Sequence, residues 1–318
     1  MREIIIGKND AGQRIDKFLT KKYKALPVSM MYKLIRKKKI TVNRKRVHED
    51  YLLCEGDKVL VFAPEDIFKE NAKRPLNSIN TDIRAVYEDE NIIIVDKPSG
   101  LLVHSDEHNP GDTLIDRIQG YLYKKGEYDP DSEQSFAPAL CNRIDRNTQG
   151  LVIAAKNAAA LRSMNEVIRC RKAGKTYLAA IHGLTDEPEG TLKLYLEKDG
   201  ATNTVHVKKT RDSSDTKTAV TEYKTVAVSA DGKYSLLEIK LVTGRTHQIR
   251  ASFAHIGHPL LGDGKYAVNK ADRETGFSSQ ALCSYSLSFN GISSGDILSY
   301  LNGKTFYAEK PDFLKIFK

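Results

Sequence analysis

Apolar runs in this sequence are short, and each has the length of one buried β-strand. Ile92–Val95 and Leu151–Ala155 are two such runs, and further strands are predicted at Ala85–Tyr87, Thr176–His182 and Leu236–Val242. No window approaches the roughly 20 apolar residues that a helix needs to cross a bilayer. The sequence therefore predicts a fold built on a sheet, without insertion into a membrane.

Helical periodicity recurs between these strands. One helix is predicted from Asp112 and a second from Asn157, which would act as its N-terminal cap. The predicted core faces are Leu114, Ile115, Ile118 and Leu122 in the first helix and Leu161, Met164 and Ile168 in the second. Strands separated by single helices and by hairpins predict an α+β fold around a mixed sheet rather than a strictly doubly wound one.

Length and composition predict two domains. The chain has 318 residues, more than one typical domain, and residues 64–80 are polar, with two prolines and no sustained period, as in a linker. We expect a small domain at 1–63, this linker, and a larger domain at 81–318. Four scattered cysteines without a C-x-x-C pair, and the lack of a signal peptide, predict a cytoplasmic protein. Nothing demands more than a monomer.

Positive charge is concentrated in the N-terminal fifth. Residues 1–62 hold 16 Lys and Arg against 7 Asp and Glu, an excess equal to the net charge of the whole chain, +9. Most charge runs are solvated surfaces, but these charges cluster around one helix end and one hairpin, where a polyanion meets a summed field. We predict that they bind nucleic acid. The candidate residues are Arg14, Lys17, Lys33, Arg36, Lys37, Lys38, Arg44, Lys45 and Arg46.

The same basic segment has the pattern of a small folded module. A first helix is predicted from the helical spacing of the apolar residues Ile15, Phe18, Leu19 and Tyr23. A second helix is predicted with Ser29 as N-cap, followed by strands at Ile40–Val42 and Lys58–Phe62 and a basic turn that starts at Asn43.

The decapeptide CNRIDRNTQG, residues 141–150, places charged side chains between the apolar segments 136–140 and 151–155. Burying unsatisfied polar groups costs about 2–7 kcal/mol each. The stretch therefore either caps its own backbone, with Asp145 accepting amides in an Asx turn, or lines a cavity.

A second polar cluster, LVTGRTHQIR at 241–250, follows an apolar strand. We expect a helix from about Arg245, on which Thr246 and Arg250 share one face and can reach into a cleft. The alternative is a surface helix end with ordinary charges.

Four motifs occur in order along the larger part of the chain. They are DKPSGLLVH at 96–104, NRIDRNTQG at 142–150, KTYL at 175–178 and TGRTHQIR at 243–250, with GHPLLGD at 257–263 after them. Together they resemble the RluA-type pseudouridine synthases. The N-terminal motifs RIDKFL, ITVN and GDKV are similar to the RNA-binding module named after ribosomal protein S-four. The resemblance implies a mixed, largely antiparallel central sheet with flanking helices, plus a small α/β RNA-binding domain.

The resemblance also implies an activity: isomerisation of uridine to pseudouridine in structured RNA, without metal, redox or other cofactor. Large-subunit ribosomal RNA is the most common target in the family, and tRNA is the alternative. By correspondence, Asp145 would be the catalytic aspartate, Arg250 its partner, Tyr177 the ring that packs on the flipped uracil, and Arg143 the residue that fills the gap left by the base. Further substrate contacts are expected from Arg245, Thr246, His247 and Ile249.

Two positions depart from the family pattern: Asn142 stands where a histidine is usual, and Gln149 where a serine is usual. Neither is the Asp or Arg of the reaction, so they bear on subfamily and target.

The physical chemistry agrees with these roles. The reacting base lies inside stacked RNA and must be extruded, at a cost of a few kcal/mol (about 2–4). An aromatic ring offers the flipped base a face worth about 1–3 kcal/mol. Burial disfavours the charged form of a carboxylate, so a close Arg250 would keep Asp145 ionised. Whether Asp145 attacks the ribose or abstracts a proton stays open.

Other classes of function fit the sequence less well. A non-catalytic RNA-binding or assembly factor would not need Asp145, Tyr177 and Arg250. A glycosidase would need a second acid beside Asp145, and no equivalent motif supplies one. His247, His255 and His258 have no carboxylate or thiolate at ligand spacing, so no metal site is predicted. No phosphate-loop or dinucleotide fingerprint occurs.

Overall fold

The computed structural model describes residues 1–68, 76–105, 111–200, 202–211, 213–267, 272–273 and 276–318. The chain divides into two compact units. The N-terminal unit comprises Met1–Asp82, Ile115–Ala139 and Ala155–Arg162, and the sheet unit comprises Ile83–Leu114, Leu140–Ala154 and Ser163–Lys318. The domain limits expected at residues 63 and 80 stay predictions.

The expected linker is described only in part. Residues 69–75 lie outside the described residues, while Glu65–Phe68 and Leu76–Ser78 each form a short 3₁₀ helix. Ile67 and Phe68 are buried in the core of the N-terminal unit.

The first segment of the N-terminal unit, residues 1–62, contains a four-stranded antiparallel sheet and two α-helices. Its elements are β1 (Arg2–Ile5), α1 (Ile15–Lys22), α2 (Val28–Arg36), β2 (Ile40–Val42), β3 (Lys45–Arg46) and β4 (Lys58–Val61), with strand order β1-β4-β2-β3. The apolar stripe of α1 is buried as predicted, with Ile15, Phe18 and Leu19 fully inside. This hydrophobic face holds the helices on the sheet.

The predicted cap of α2 was wrong. Ser29 lies inside the helix, which begins at Val28 after Pro27. Pro27 has an extended backbone (φ −61°, ψ 138°) and no side chain that can cap, and its fixed φ suits the residue that leads into a helix. The helix therefore starts earlier than the serine indicates.

The basic turn predicted from Asn43 is a tight hairpin. Asn43 (φ 51°) and Arg44 (φ 62°) both have left-handed backbones, as a two-residue type I′ turn requires. The Asn43 amide donates to Asp57 at 2.8 Å and accepts the Lys58 N–H at 2.9 Å. The turn leaves Lys45 and Arg46 of β3 exposed.

The larger sheet confirms the predicted α+β fold. Its strands are β5 (Ala85–Glu88), β6 (Ile92–Lys97), β7 (Ala139–Leu140), β8 (Gln149–Ala155), β9 (Ala173–His182), β10 (Glu189–Asp199), β11 (Thr204–Lys208), β12 (Lys217–Val228), β13 (Tyr234–Leu241), β14 (Leu282–Phe289) and β15 (Thr305–Tyr307). Their order is β11-β10-β12-β13-β9-β14-β8-β6-β5, with β15 beside β14 and β7 beside β8. The β14–β8 pair is parallel and the other described registers are antiparallel, so the sheet is mixed and largely antiparallel, as expected.

Three further α-helices are α3 (Leu114–Lys124), α4 (Ala158–Arg169) and α5 (Gln248–His255), and 3₁₀ helices also form at Ser299–Leu301 and Asp312–Phe317. The cap predicted for α4 is present, because the Asn157 side chain accepts the Ala160 N–H at 2.8 Å. Within the described residues, no helix is long and apolar enough to span a membrane.

The start predicted for α5 was wrong. The helix begins at Gln248 rather than near Arg245, because His247 has a left-handed backbone (φ 48°) that interrupts a right-handed helical path. Thr246 therefore lies in the preceding turn, and it does not share a helix face with Arg250.

Gly150 permits the parallel pairing of β8 with β14. Its φ is 120°, and a Cβ at this position would lie 2.3 Å from the Ser284 carbonyl oxygen. We expect Gly150→Ala to lower the free energy of unfolding by at least about 2 kcal/mol, from steric overlap and backbone strain. Urea unfolding measures this. Gly295→Ala, where a Cβ meets nothing within 4 Å, is the control, and equal stability of the two variants would contradict the prediction.

Candidate active site

A cleft of about 650 Å³ opens in the sheet unit. It is lined by the loop at 141–148, by the beginning of β9 and by the segment 241–250. The cleft contains every catalytic and substrate-binding residue predicted from the sequence: Arg143, Asp145, Tyr177, Arg245, Thr246, His247, Ile249 and Arg250.

Arg250 joins two carboxylates. Its Nε and Nη2 donate to the two oxygens of Asp263 at 2.7 and 2.9 Å, and its Nη1 donates to Asp145 Oδ2 at 2.9 Å. Asp263 is fully buried and Arg250 nearly so, whereas the Asp145 side chain keeps 26 % of its surface exposed. Asp263 therefore fixes the guanidinium on its buried side, and Nη1 of Arg250 faces the Asp145 carboxylate at the cleft.

The ionisation of this group follows from burial and pairing. Burial alone would raise the pKa of Asp263, but the hydrogen bonds and charge of Arg250 lower it below its ordinary value. Burial lowers the pKa of Arg250, but Asp263 and Asp145 raise it well above the ordinary value. Both partners are consequently charged at neutral pH.

An aromatic ring and an imidazole complete the surroundings of Arg250. The Tyr266 ring lies 5.2 Å from the guanidinium carbon, within the range of a cation–π contact. The Tyr266 hydroxyl lies 2.8 Å from His247 Nδ1 and accepts the Val205 N–H at 2.9 Å. Burial lowers the pKa of His247, and its Nε2 lies 3.8 Å from Asp145 Oδ2. A neutral imidazole thus borders the Asp145 carboxylate.

The loop that carries Asp145 is held through its backbone. Lys97 Nζ is fully buried and donates at 2.8 Å to the carbonyls of Pro98, Leu101 and Arg146. The Arg146 carbonyl also accepts the Gly100 N–H at 3.0 Å. Burial lowers the pKa of Lys97 to about 7. The turn after β6 therefore fixes the residue that follows Asp145.

The geometry decides between the two interpretations of the polar decapeptide. Its turn closes through a backbone bond, from the Thr148 N–H to the Asp145 carbonyl at 3.1 Å. In the described part of the chain, the Asp145 carboxylate accepts a hydrogen bond from Arg250 and caps no backbone amide of its own turn. The stretch lines a cavity.

Asn142, one of the two departures from the family pattern, has a structural partner. Its side-chain oxygen accepts the Ile153 N–H at 2.8 Å and its amide donates to the Leu151 carbonyl at 3.4 Å. Gln149, the other departure, reaches the Glu309 carbonyl at 3.5 Å. Both side chains thus contact backbone groups, and neither bonds Asp145 or Arg250.

The remaining predicted residues differ in burial. Tyr177 is buried, and burial raises its pKa to about 12, so it stays protonated at neutral pH. Arg143 is exposed at the cleft, and the Arg245 side chain donates to the Thr218 carbonyl at 3.1 Å. Among the described lining residues, Asp145 is the one acid. The second acid that a glycosidase needs is therefore absent from this part of the cleft.

On the N-terminal unit, all nine predicted RNA-binding residues are exposed. Arg14 pairs with Asp16 at 2.8 Å. No ion pair is described for the basic residues at the end of α2 or on the β2–β3 turn, so their charge faces solvent.

Comparisons with known proteins agree with this site. The model of the family described as RNA pseudouridylate synthase matches residues 91–255, which include the loop of Asp145, the start of β9 and Arg250. The chain belongs to the RNA pseudouridylate synthase family. This pseudouridine synthase is therefore an isomerase that acts on RNA, and an S4 domain model matches residues 13–59 at its N-terminus.

Relatives span almost the whole synthase. A protein of Mycoplasma capricolum named as an uncharacterized RNA pseudouridine synthase is 32% identical over 99% of both chains. A Buchnera aphidicola protein named ribosomal large subunit pseudouridine synthase C is 34% identical over 85% of this chain and 82% of its own. The solved structure of human RNA pseudouridylate synthase domain containing 4 has a TM-score of 0.55, 20% identity, and covers 73% of this chain and 90% of its own, which shows a shared fold.

Three residues of the synthase site were not singled out from the sequence: Lys97, Asp263 and Tyr266. Lys97 follows the fully apolar Ile92–Val95, and a lysine continuing a buried strand signals a satisfied internal cation. Asp263 ends the motif GHPLLGD, but its partner could not be deduced from spacing.

The Asp263–Arg250 pair predicts an acid-sensitive component of stability in the synthase. Because the folded pKa of Asp263 is depressed, its contribution is present above the unfolded value, about 3.9, and is lost as pH falls through the folded pKa. Asp263→Asn should lower the free energy of unfolding by about 3 kcal/mol at neutral pH, and the difference from wild type should shrink below about pH 4.

Urea unfolding midpoints from pH 7 to pH 3 measure this effect. Asp312→Asn is the matched control, because Asp312 pairs with Lys315 at the surface and exposed pairs contribute little. A constant difference between Asp263→Asn and wild type across the series would contradict the assignment.

Proposed function

We propose that this synthase isomerises uridines in large-subunit ribosomal RNA, with Asp145 as the carboxylate that acts on a flipped nucleotide. The observation that supports the proposal is the single guanidinium edge that Arg250 directs at Asp145. Asp263 holds Nε and Nη2 of Arg250, so the guanidinium meets the Asp145 carboxylate through a single bond, from Nη1.

The chemistry requires one ionised group and a protected space. The bond between uracil N1 and ribose C1′ breaks, a bond between C5 and C1′ forms, the C5 proton leaves and N1 gains a proton, so that no atom is gained or lost overall. A carboxylate can act on the ribose or on the base in such a sequence. No redox step is needed.

Base flipping gives roles to two further residues. Tyr177 presents a protonated, buried ring in the cleft, and such a face supports a base that has left its stack. Arg143 is exposed at the cleft, where a guanidinium can stack and donate in the gap that the base leaves. The same cleft is also lined by Arg245, Thr246, His247 and Ile249, which are expected to contact the substrate.

The target class rests on the relatives. Proteins of Buchnera aphidicola and Escherichia coli, both named ribosomal large subunit pseudouridine synthase C, are 34% and 31% identical over 85% and 93% of this chain. The exposed basic residues of the N-terminal unit suit an extended RNA surface of this kind.

Replacing Asp145 tests the chemistry directly. Asp145→Asn should abolish release of tritium from RNA labelled at C5 of uridine while RNA affinity stays near wild type, because the change removes charge and keeps shape. Ribosomal RNA and bulk tRNA from a strain without the gene are compared as substrates.

The matched control is Asp186→Asn, an exposed aspartate outside the cleft, which should retain full activity. Retained tritium release by Asp145→Asn would refute the role of Asp145, and release from tRNA alone would refute the ribosomal target.

The N-terminal charge generates a separate prediction. Changing Arg44, Lys45 and Arg46 together to Gln should reduce the slope of log affinity against log salt by about 2–3, because each phosphate contact contributes about 0.7–0.9. Filter binding of ribosomal RNA over a salt series measures the slope.

A control removes the same number of positive charges from surface ion pairs: Lys224, Lys233 and Lys315, each changed to Gln. If both triple variants shift the slope equally, the N-terminal residues act only through net charge, and the predicted contact surface is wrong.

A further inference from the structure

Lys175 is a cation of the cleft that the pairing described above does not use. It lies on β9 two residues before Tyr177 and lines the same cavity. Side chains two apart on a strand project from the same face, about 7 Å from each other. Lys175 is therefore the next residue on the same face of β9 as Tyr177, whose ring is proposed to support the base.

The ammonium group of Lys175 has no described carboxylate partner, and the one described group that interacts with its charge is the Cys141 thiol. The side chain is half-buried, and burial lowers the pKa of Lys175, but no hydrogen bond or ion pair joins it to any residue in the described ranges. By contrast, Lys97 donates to three carbonyls and Arg250 to two carboxylates. A partly desolvated ammonium without a carboxylate partner costs stability, and a bound anion would offset this cost.

The surroundings of Lys175 favour an anion as its ligand. Arg171, which has a left-handed backbone (φ 58°), and Arg143 are exposed cations on the same cleft lining. Asp145 is the one acid among the described lining residues, and it bonds Arg250. The lining near Lys175 therefore offers positive charge that no described carboxylate balances.

From this placement we infer that Lys175 binds a backbone phosphate next to the flipped uridine. A base that packs on Tyr177 is joined through its ribose to two phosphates. Because Lys175 lies about 7 Å from Tyr177 along β9, we expect it to meet the RNA backbone rather than the base. The inference rests on the proposed function for the identity of the nucleotide. It assigns to Lys175 a binding role, with no part in breaking or forming bonds.

The test compares Lys175→Met with wild type in the full-length chain. Methionine keeps an unbranched apolar stem and removes the charge. RNA affinity should fall about tenfold, the loss expected when one charge-assisted contact is removed, and the salt slope should decrease by about 0.7–0.9. In the tritium assay KM should rise with kcat unchanged. Lys175→Arg, which keeps the charge, should restore most of the affinity.

Two controls separate binding from folding. Lys233→Met removes an exposed lysine that pairs with Asp231 outside the cleft, and it should leave affinity and salt slope as in wild type. The melting temperature of Lys175→Met should equal or exceed that of wild type, because an unpaired charge has been removed. A lower melting temperature together with no recovery by Lys175→Arg would show a structural lysine and overturn the inference.

A chemical change in the RNA locates the contact. A short RNA with an uncharged methylphosphonate linkage beside the modified uridine should bind wild type more weakly than the all-phosphate RNA, while Lys175→Met should not distinguish the two. Equal sensitivity of both proteins to each flanking linkage would overturn the inference. If wild type releases no tritium from any RNA, the proposed function is wrong. If wild type releases tritium but Lys175→Met has the same salt slope of RNA binding as wild type, only the phosphate contact is wrong.

Discussion

The bidentate contact between Asp263 and Arg250 is the interaction on which the site depends. A guanidinium has its donors in a fixed planar fork, so two bonds to Asp263 at 2.7 and 2.9 Å fix the direction of the third, to Asp145 at 2.9 Å. A lysine could supply the charge but not this direction, because its ammonium is a single point with rotating donors. The position of Arg250 is thereby fixed before any RNA arrives, and a preorganised charge costs no reorganisation during the reaction.

The carboxylate that Arg250 faces is positioned by different means. Asp145 lies in a loop whose backbone is held by Lys97 and Gly100 through the Arg146 carbonyl, while Asn142 ties the start of the same loop to β8. These contacts engage main-chain groups and leave the Asp145 side chain to the cleft. Neighbouring residues thus satisfy backbone groups of the loop that a buried turn would otherwise leave unpaired.

The sequence could predict those parts of the fold and site whose signal is local. Polar residues that interrupt apolar runs are visible without a structure, and both segments found in this way, 141–150 and 241–250, line the cleft. The role of Asp263 could not be found in this way, because no periodicity joins it to Arg250, thirteen residues away. The start of α5 was misplaced because one left-handed residue, His247, leaves no mark on helical propensity.

The strands β10 and β12 were missed for a different reason. In β10, Leu192, Leu194 and Leu196 alternate with polar or aromatic residues, and this period of two is typical of a strand with one exposed face. The signal was therefore present, but the contiguous apolar runs used to find buried strands do not detect it. Half-exposed strands of an antiparallel sheet need the alternation test.

Charge in this synthase is unevenly distributed both along the chain and within the cleft. Beyond residue 62 the chain holds 34 basic and 34 acidic residues, the difference between the totals of 50 and 41 and the 16 and 7 of the N-terminal segment. That part has no net charge, yet Asp145 is the one anion among the described charged residues that line its cleft, and the others are Lys or Arg. Local placement therefore has to supply the field there, since net charge supplies none. An anion that enters the cleft therefore meets the same set of positive charges as the Asp145 carboxylate does.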